Sequence, residues 1–290
     1  MLLEVDDIDA YDRDNPQQCV AYINDIVDYM FEHETVTQPA ANYMGSQNDI
    51  NEKMRGILVD WIIKNCSKLG LLLETEFLAV NVLDRFLAQR QITRHRLQLV
   101  GVGALLIAAK FEELGAPAIA DLEYVSAKAC TRDDILRIEK IILMTLDFDL
   151  SHPSPLHFLR RFSKAARSCP KTHTLSKYLI ELTMPDYRFL HYRPSNIAAA
   201  AVYLSRRMMA PTEEPWNNTL RYYTRYDEAD VLSCAREMNA VLRLPDDDKP
   251  PFHNVKAKYA SQSLFEVSRQ YRGVVSDLLL LPPSQQQASR

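Results

Sequence analysis

Gln98-Leu99-Val100-Gly101-Val102-Gly103-Ala104-Leu105-Leu106-Ile107-Ala108-Ala109 runs without a charge into Lys110-Phe111-Glu112-Glu113. The stretch is rich in alanine and leucine and reads as a helix that is apolar all round. Such a helix is enclosed by others. Its small residues let those neighbours approach closely. The lysine that ends it must leave the core or find a partner, and Glu139, on a later apolar helix, is the partner in reach. A second stretch of the same kind is Ile197-Ala198-Ala199-Ala200-Ala201-Val202-Tyr203-Leu204. Each stretch is the third in a set of about five predicted helices. The chain therefore reads as all-α, two tandem bundles of one plan, with no residue-level repeat between them.

Apolar spacing predicts the first set over Asn51–Leu69, Glu74–Ala88, Arg94–Glu113, Ala118–Lys128 and Arg132–Leu146. The second covers Leu156–Arg167, Thr172–Arg188, Pro194–Met209, Asn218–Tyr223 and Asp227–Leu244. Gly70 and Gly115 mark helix ends, and Thr131 with Asp134 forms a short capping box. Ahead of both sets, a helix starting near Pro16 carries Tyr22, Ile23, Ile26, Val27 and Met30, and Gln38–Gln47 is a loop. Pro153 and Pro155 cannot lie inside a helix, so Asp147–Pro155 is the linker. The expected division is 1–50 for the lead-in and first helix, 51–150 and 151–250 for the bundles, and 251–290 for an extension. That extension is partly helical over Val255–Leu281, follows a break at Asp246–Pro251, and ends in a polar tail after Pro282.

Composition narrows the function. The chain has 290 residues, 47% of them hydrophobic, with 7 glycines and 15 prolines, which suits helices and a sizeable core. A net charge of -4 argues against nucleic-acid binding. The five cysteines are widely spaced with no CxxC, so neither a disulfide framework nor a zinc site is expected, and a reducing compartment fits. No signal peptide is readable at Met1. The longest uncharged apolar run, Leu97–Ala109, is short of the roughly 20 residues that span a bilayer. Gly101 and Gly103 lack the third glycine of a dinucleotide loop, and there is no P-loop, HExxH or GxSxG. The histidines do not cluster as metal ligands. The expectation is a non-enzyme without metal or cofactor.

Several runs carry a family resemblance. MRGILVDW (Met54–Trp61), LAVNVLDRFL (Leu78–Leu87), LQLVG (Leu97–Gly101) and AAKFEE (Ala108–Glu113) are similar, in order and spacing, to the cyclin box. PSPLHFLRR (Pro153–Arg161), HTLSKYLIELTMPDY (His173–Tyr187) and RPSNIAAAA (Arg193–Ala201) resemble mitotic, B-type cyclins, as does Asp7-Ile8-Asp9 followed by Asn15-Pro16-Gln17. The likeness extends from about Val5 to Lys256-Ala257-Lys258-Tyr259. It implies two tandem five-helix boxes with an N-terminal helix packed outside. It also implies a nuclear and cytoplasmic regulatory subunit that activates a cyclin-dependent protein kinase at G2/M. Such a subunit pushes the kinase's PSTAIRE-type helix inward and moves the activation segment out of the cleft.

Residue by residue, the resemblance places Lys110 and Glu139 as the charged pair that meets the kinase. An internal salt bridge is the alternative, and both can hold. Phe111, Leu143, Phe148 and Leu150 match the apolar surface around that pair, with ordinary core as the other reading. Tyr22, Ile26 and Tyr29 match kinase-contacting positions of the N-terminal helix, or else pack on the box. Met54, Ile57, Leu58 and Trp61 fall on one helical stripe. By periodicity that stripe is core. By resemblance, with Arg55 and Gln98, it is the patch that docks RxL-type substrates and inhibitors. Gly56 stands where the family has alanine, which should loosen the helix slightly. Lys64 stands where some members carry a glutamate, which should weaken attraction for a basic motif. Arg160, His173 and Lys177 match a pocket for phosphorylated substrates, or form a solvated basic face. His173 would tie such binding to pH.

The Leu114-Gly115-Ala116-Pro117-Ala118 loop departs from the family's Tyr-Pro-Pro-Glu type. No RxxL destruction box precedes Pro16, so either the sequence is trimmed or degradation is signalled elsewhere. Arg94-His95-Arg96-Leu97 has that pattern, but it opens a predicted helix and reads as structural. Two other readings stay open: a transcription-type adaptor on the same fold, which should be basic, and a helical scaffold, which would need neither Lys110 nor Glu139.

Overall fold

The computed structural model describes residues 5–244 and 251–271, and every regular element among them is helical. Helix α1 (Ile23–Val36) precedes a first bundle of α2 (Glu52–Leu69), α3 (Leu73–Gln89), α4 (Arg94–Glu112), α5 (Ile119–Val125) and α6 (Arg132–Thr145). The second bundle is α7 (Pro155–Ala165), α8 (Pro170–Thr183), α9 (Pro194–Met209), α10 (Asn218–Thr224) and α11 (Glu228–Leu242). Two short helices, α12 (His253–Lys258) and α13 (Val267–Gln270), close the described chain.

The two stretches poor in charge form the central helices. Every residue of α4 from Val100 to Ala109 is buried, with α2, α3 and α6 packed around it. A methyl group on Gly101 would stand 2.7 Å from Leu58 of α2, and one on Gly103 would stand 2.8 Å from Ile138 of α6. Glycine at these points permits the close approach. Helix α9 is enclosed in the same way by α7, α8 and α11.

Local chemistry fixes most helix ends. The Asn51 side chain accepts from the Met54 N–H at 3.0 Å and starts α2, and Gly70 ends it at φ 68. Thr131 caps α6 by accepting from the Asp134 N–H, while the Asp134 carboxylate accepts a hydrogen bond from the threonine hydroxyl. Pro155, Pro170 and Pro194 occupy first turns, where no N–H is needed.

Four boundaries differ from expectation. The lead-in to α1 is two 3-10 turns, Pro16–Gln18 and Val20–Tyr22, separated by Cys19 at φ 48, so α-helix begins only at Ile23. The segment expected to run from Ala118 to Lys128 ends at Val125, because Ala127 and Lys128 take left-handed backbone. The segment expected from Thr172 to Arg188 stops at Thr183. Pro185 follows, and a separate 3-10 turn covers Tyr187–His191. Helix α4 ends at Glu112 with Glu113 extended, so Gly115 caps nothing. The expected break lies outside the described residues apart from Pro251, as does the polar tail after Pro282.

Charged residues join parts distant in sequence. Arg55 of α2 forks onto Asp84 of α3 at 2.7 and 2.6 Å and donates to the Met184 carbonyl of the second bundle at 2.7 Å. Glu34 of α1 accepts from the Ser195 N–H and hydroxyl, each at 2.8 Å, at the start of α9. Lys258 of α12 meets Glu76 of the first bundle at 3.2 Å and Glu181 of the second at 2.7 Å, and Tyr259 donates to Glu181 at 2.8 Å.

Candidate functional site

Lys110 lies in the last turn of α4, where the buried run reaches the surface. Its Nζ is 2.6 Å from Glu139 Oε1 on α6. The internal salt bridge therefore exists. The lysine side chain nevertheless stays 49% exposed, against 12% for the glutamate. An ammonium has three donors, and the exposed side of this one can still meet another molecule. Phe111 beside it is 54% exposed.

Phe148 is 66% exposed, and its setting is built rather than loose. Past the end of α6, Asp147 and Phe148 both take left-handed backbone, at φ 51 and φ 58. The Phe148 N–H returns to the Leu143 carbonyl at 2.9 Å, closing a Schellman turn. Arg85 of α3 holds the next residue, Asp149, through its carbonyl at 2.9 Å and its carboxylate at 3.1 Å. A bulky residue at positive φ is costly, and this turn keeps the ring in solvent. Leu143 and Leu150 are half-buried against the core beneath it. Arg85 belongs to this turn but has no signature in the sequence.

Helix α1 has two sides. Met30 and Phe31 pack inward, Phe31 with its ring centroid 5.0 Å from that of Phe158. Ile26 and Tyr29, with Tyr22 in the 3-10 turn just before the helix, point outward at 41, 51 and 67% exposure. Tyr29 stacks on His33, and both reach Ser151 of the linker, at 3.4 Å through the phenol and 3.1 Å through the imidazole. The outward face of α1 thus lies beside the segment that follows Phe148 and Leu150.

The α2 stripe is divided. Ile57 is 41% exposed, Met54, Trp61 and Gln98 are half-buried, and Leu58 is core, set against Gly101. Arg55 does not belong to the surface at all. At 1% exposure, with its guanidinium committed to Asp84 and Met184, it offers nothing to a ligand. The role expected of it in docking is corrected to a strut between bundles. Gly56 also does more than loosen the helix. A Cβ there would come 2.8 Å from the Pro185 carbonyl and 3.2 Å from Pro251, so glycine lets α2 lie against both. Lys64 is exposed, as a docking contact requires.

Arg160, His173 and Lys177 are brought together on α7 and α8. Burial, then Lys177, then Arg160, push the His173 imidazole down from its ordinary pKa. Its Nδ1 lies 2.9 Å from the Ser163 hydroxyl. Arg160 is paired with Glu74 of α3, so an anion arriving here displaces a carboxylate or shares its cation.

Among the described residues no group of three or more His, Cys, Asp or Glu side chains is placed to hold a metal, and no helix is long and apolar enough to cross a membrane.

Residues 25–151 match the family model of the cyclin N-terminal domain, and residues 153–272 that of the cyclin C-terminal domain. The chain is 46% identical over 266 residues to a G2/mitotic-specific cyclin-B of Dictyostelium discoideum, covering 91% of this chain and 60% of that protein. It is 42% identical to the G2/mitotic-specific cyclin-B2 of Oryzias luzonensis, over 92% of this chain and 69% of the relative. The human cyclin-B2 is 41% identical, over 92% and 67%. A viral cyclin from herpesvirus saimiri shares the fold with a TM-score of 0.67 at 20% identity, covering 74% of this chain and 96% of the viral one. With both of its bundles matched as cyclin boxes and G2/mitotic-specific relatives aligned along most of its length, the chain belongs to the cyclin family.

Proposed function

We propose that this chain is the regulatory subunit of a cyclin-dependent protein kinase, which it binds and activates to control G2/M progression in nucleus and cytoplasm. It does no chemistry of its own and needs no cofactor. The observation that carries the reading is the half-exposed Lys110, held by Glu139, on a surface where Phe111 and Phe148 also stay in solvent. Large exposed apolar side chains around a preformed charge supply both anchor and orientation for a protein partner. Tyr22, Ile26 and Tyr29 extend the same contact. Activation is a population shift: the cyclin binds the active kinase conformation more tightly than the inactive one, and by that difference alone favours it.

Met54, Ile57 and Trp61, with Gln98 beside them and Leu58 beneath, form the surface for RxL-type substrates and inhibitors, without Arg55. Arg160, His173 and Lys177 are the site for phosphorylated ones, with His173 kept neutral until an anion arrives.

The test mixes the chain with an inactive mitotic-type cyclin-dependent kinase and follows histone phosphorylation. Activity should appear with the native chain and collapse with Lys110→Ala/Glu139→Ala. An absence of binding across a panel of such kinases would leave a helical scaffold as the better reading.

A further inference from the structure

Most arginines of this acidic chain rest on a carboxylate, as Arg85 does on Asp149 (3.1 Å), Arg94 on Asp49 (2.7 Å) and Arg161 on Asp9 (2.6 Å). Arg90 and Arg96 are exposed and make no ion pair among the described residues, and Arg137 approaches Asp134 only to 3.9 Å. These three arginines line one groove of about 500 Å3, between the end of α3, the first half of α4 and α6. Ile92, Leu99, Ile138 and Ile141 also line it, Ile141 is 42% exposed, and a single carboxylate, Asp134, faces Arg96 and Arg137 there. A surplus of cation beside uncovered aliphatic side chains is an unusual surface on a protein of net charge -4.

We propose that this groove docks an acidic segment of a partner protein that also carries a bulky aliphatic side chain. Carboxylates of the segment would take the guanidinium capacity that Asp134, one acid among three arginines, leaves unmet. The aliphatic side chain would cover Leu99 and Ile141. A nucleic acid would satisfy the arginines but leave the aliphatic residues wet, and a small anion would fill little of the volume. The site is separate from the proposed kinase face. At about 100° per residue, Arg137 and Ile141 lie on the flank of α6 opposite Glu139 and Leu143, so both faces can be occupied together. It adds a further means of choosing partners and does not depend on the kinase reading, because binding to the cyclin alone reports it.

The probe is a fluorescein-labelled peptide of glutamates with two interspersed leucines, followed by anisotropy on the full chain. Its companions are the same peptide with serines for the leucines and a single-stranded DNA oligonucleotide of matched charge. The leucine peptide should bind about tenfold tighter than either companion. Arg96→Glu/Arg137→Glu should weaken it by about tenfold or more, and Ile141→Ser should remove its advantage over the serine peptide. All three positions are solvent-facing, and an unchanged circular dichroism spectrum confirms that the variants are folded. Equal binding of the two peptides, tighter binding of DNA, or an affinity untouched by the double reversal would each overturn the proposal.

Discussion

Lys110–Glu139 and Arg55–Asp84 both close at 2.6 Å, yet the first leaves its cation 49% exposed and the second leaves its cation at 1%. Both belong to the first box, and both cations sit in runs that resemble the cyclin box. Their length says nothing of their use. Water still solvates Lys110, so its bond to Glu139 adds little to stability and the charge remains available to a partner. Around Arg55 water is excluded, and every donor that meets a partner meets one inside the protein. There the same chemistry holds Asp84, the Tyr43 hydroxyl at 2.7 Å and the Met184 carbonyl in one lattice across the two boxes.

Arg55→Ala is the harshest way to break this contrast. It leaves Asp84 buried with only the Tyr43 hydroxyl, and it should cost about 3–5 kcal/mol in chemical denaturation. Removing both charges with well-packed apolar residues, as in Arg55→Met/Asp84→Leu, should cost much less. A single variant within about 1 kcal/mol of the native chain would mean that water reaches Asp84 after all.

The lead-in segment offers an intermediate case. Asp9 is 7% exposed and accepts from Arg161 at two oxygens, each at 2.6 Å, and from Lys164 at 2.6 Å. Burial works against its charge, but those bonds outweigh it and hold the carboxyl below its ordinary pKa. A depressed folded pKa contributes stability that is present above the ordinary carboxylate range and lost as pH falls through the folded value. Asp9→Asn should cost about 2 kcal/mol near neutral pH, and the variant should lose less than the native chain on acidification.

Glu76 gives the opposite slope. Burial, then the nearby Glu181 carboxylate, push Glu76 well above its ordinary pKa although Lys258 opposes them. Its Oε1 is buried without a hydrogen-bond partner. A raised folded pKa means the folded chain holds a proton that the unfolded chain releases. Stability is then greatest below the ordinary glutamate range and declines as pH rises through the folded value. Glu76→Gln, which is neutral at every pH, should flatten that decline in denaturation midpoints as pH rises from the ordinary glutamate range. An unchanged slope would assign it to another group.

These buried contacts mark where the sequence could not be read. The central helices were legible because uninterrupted small and apolar residues have few other uses, and Pro194–Met209 was bounded by its own proline and its loss of apolar pattern. Pro153 and Pro155 made the linker legible for the same local reason. The stripe of α2 was not. Spacing puts Met54, Ile57, Leu58 and Trp61 on one side of a helix, but that side is wide enough for Ile57 to face water while Leu58 meets Gly101. Arg55 is next to that stripe in sequence and points into the protein because Asp84, on another helix, is there to receive it. Glu34 with Ser195, and Glu76 with Lys258, are pairings of distant residues that no local pattern encodes. The positive-φ turn that presents Phe148 is likewise set by the return bond to Leu143 and by Arg85, without a glycine to announce it.

Lys110→Ala sharpens the opening contrast from its mild side. With the lysine half in water, its loss should move the unfolding free energy by less than about 1 kcal/mol. Glu139 at 12% exposure keeps access to solvent, so it is not stranded as Asp84 would be. Kinase activation by the same variant should nevertheless fall by about tenfold or more, since a partner would desolvate the ammonium and make its contacts count. A variant that activates normally would return Lys110 to the class of ordinary surface salt bridges. A variant that unfolds would place it in the class of Arg55. Only a stable protein that has lost activation separates a docking charge from a structural one, and of the two 2.6 Å contacts only Lys110–Glu139 leaves its cation exposed enough for that outcome to be expected.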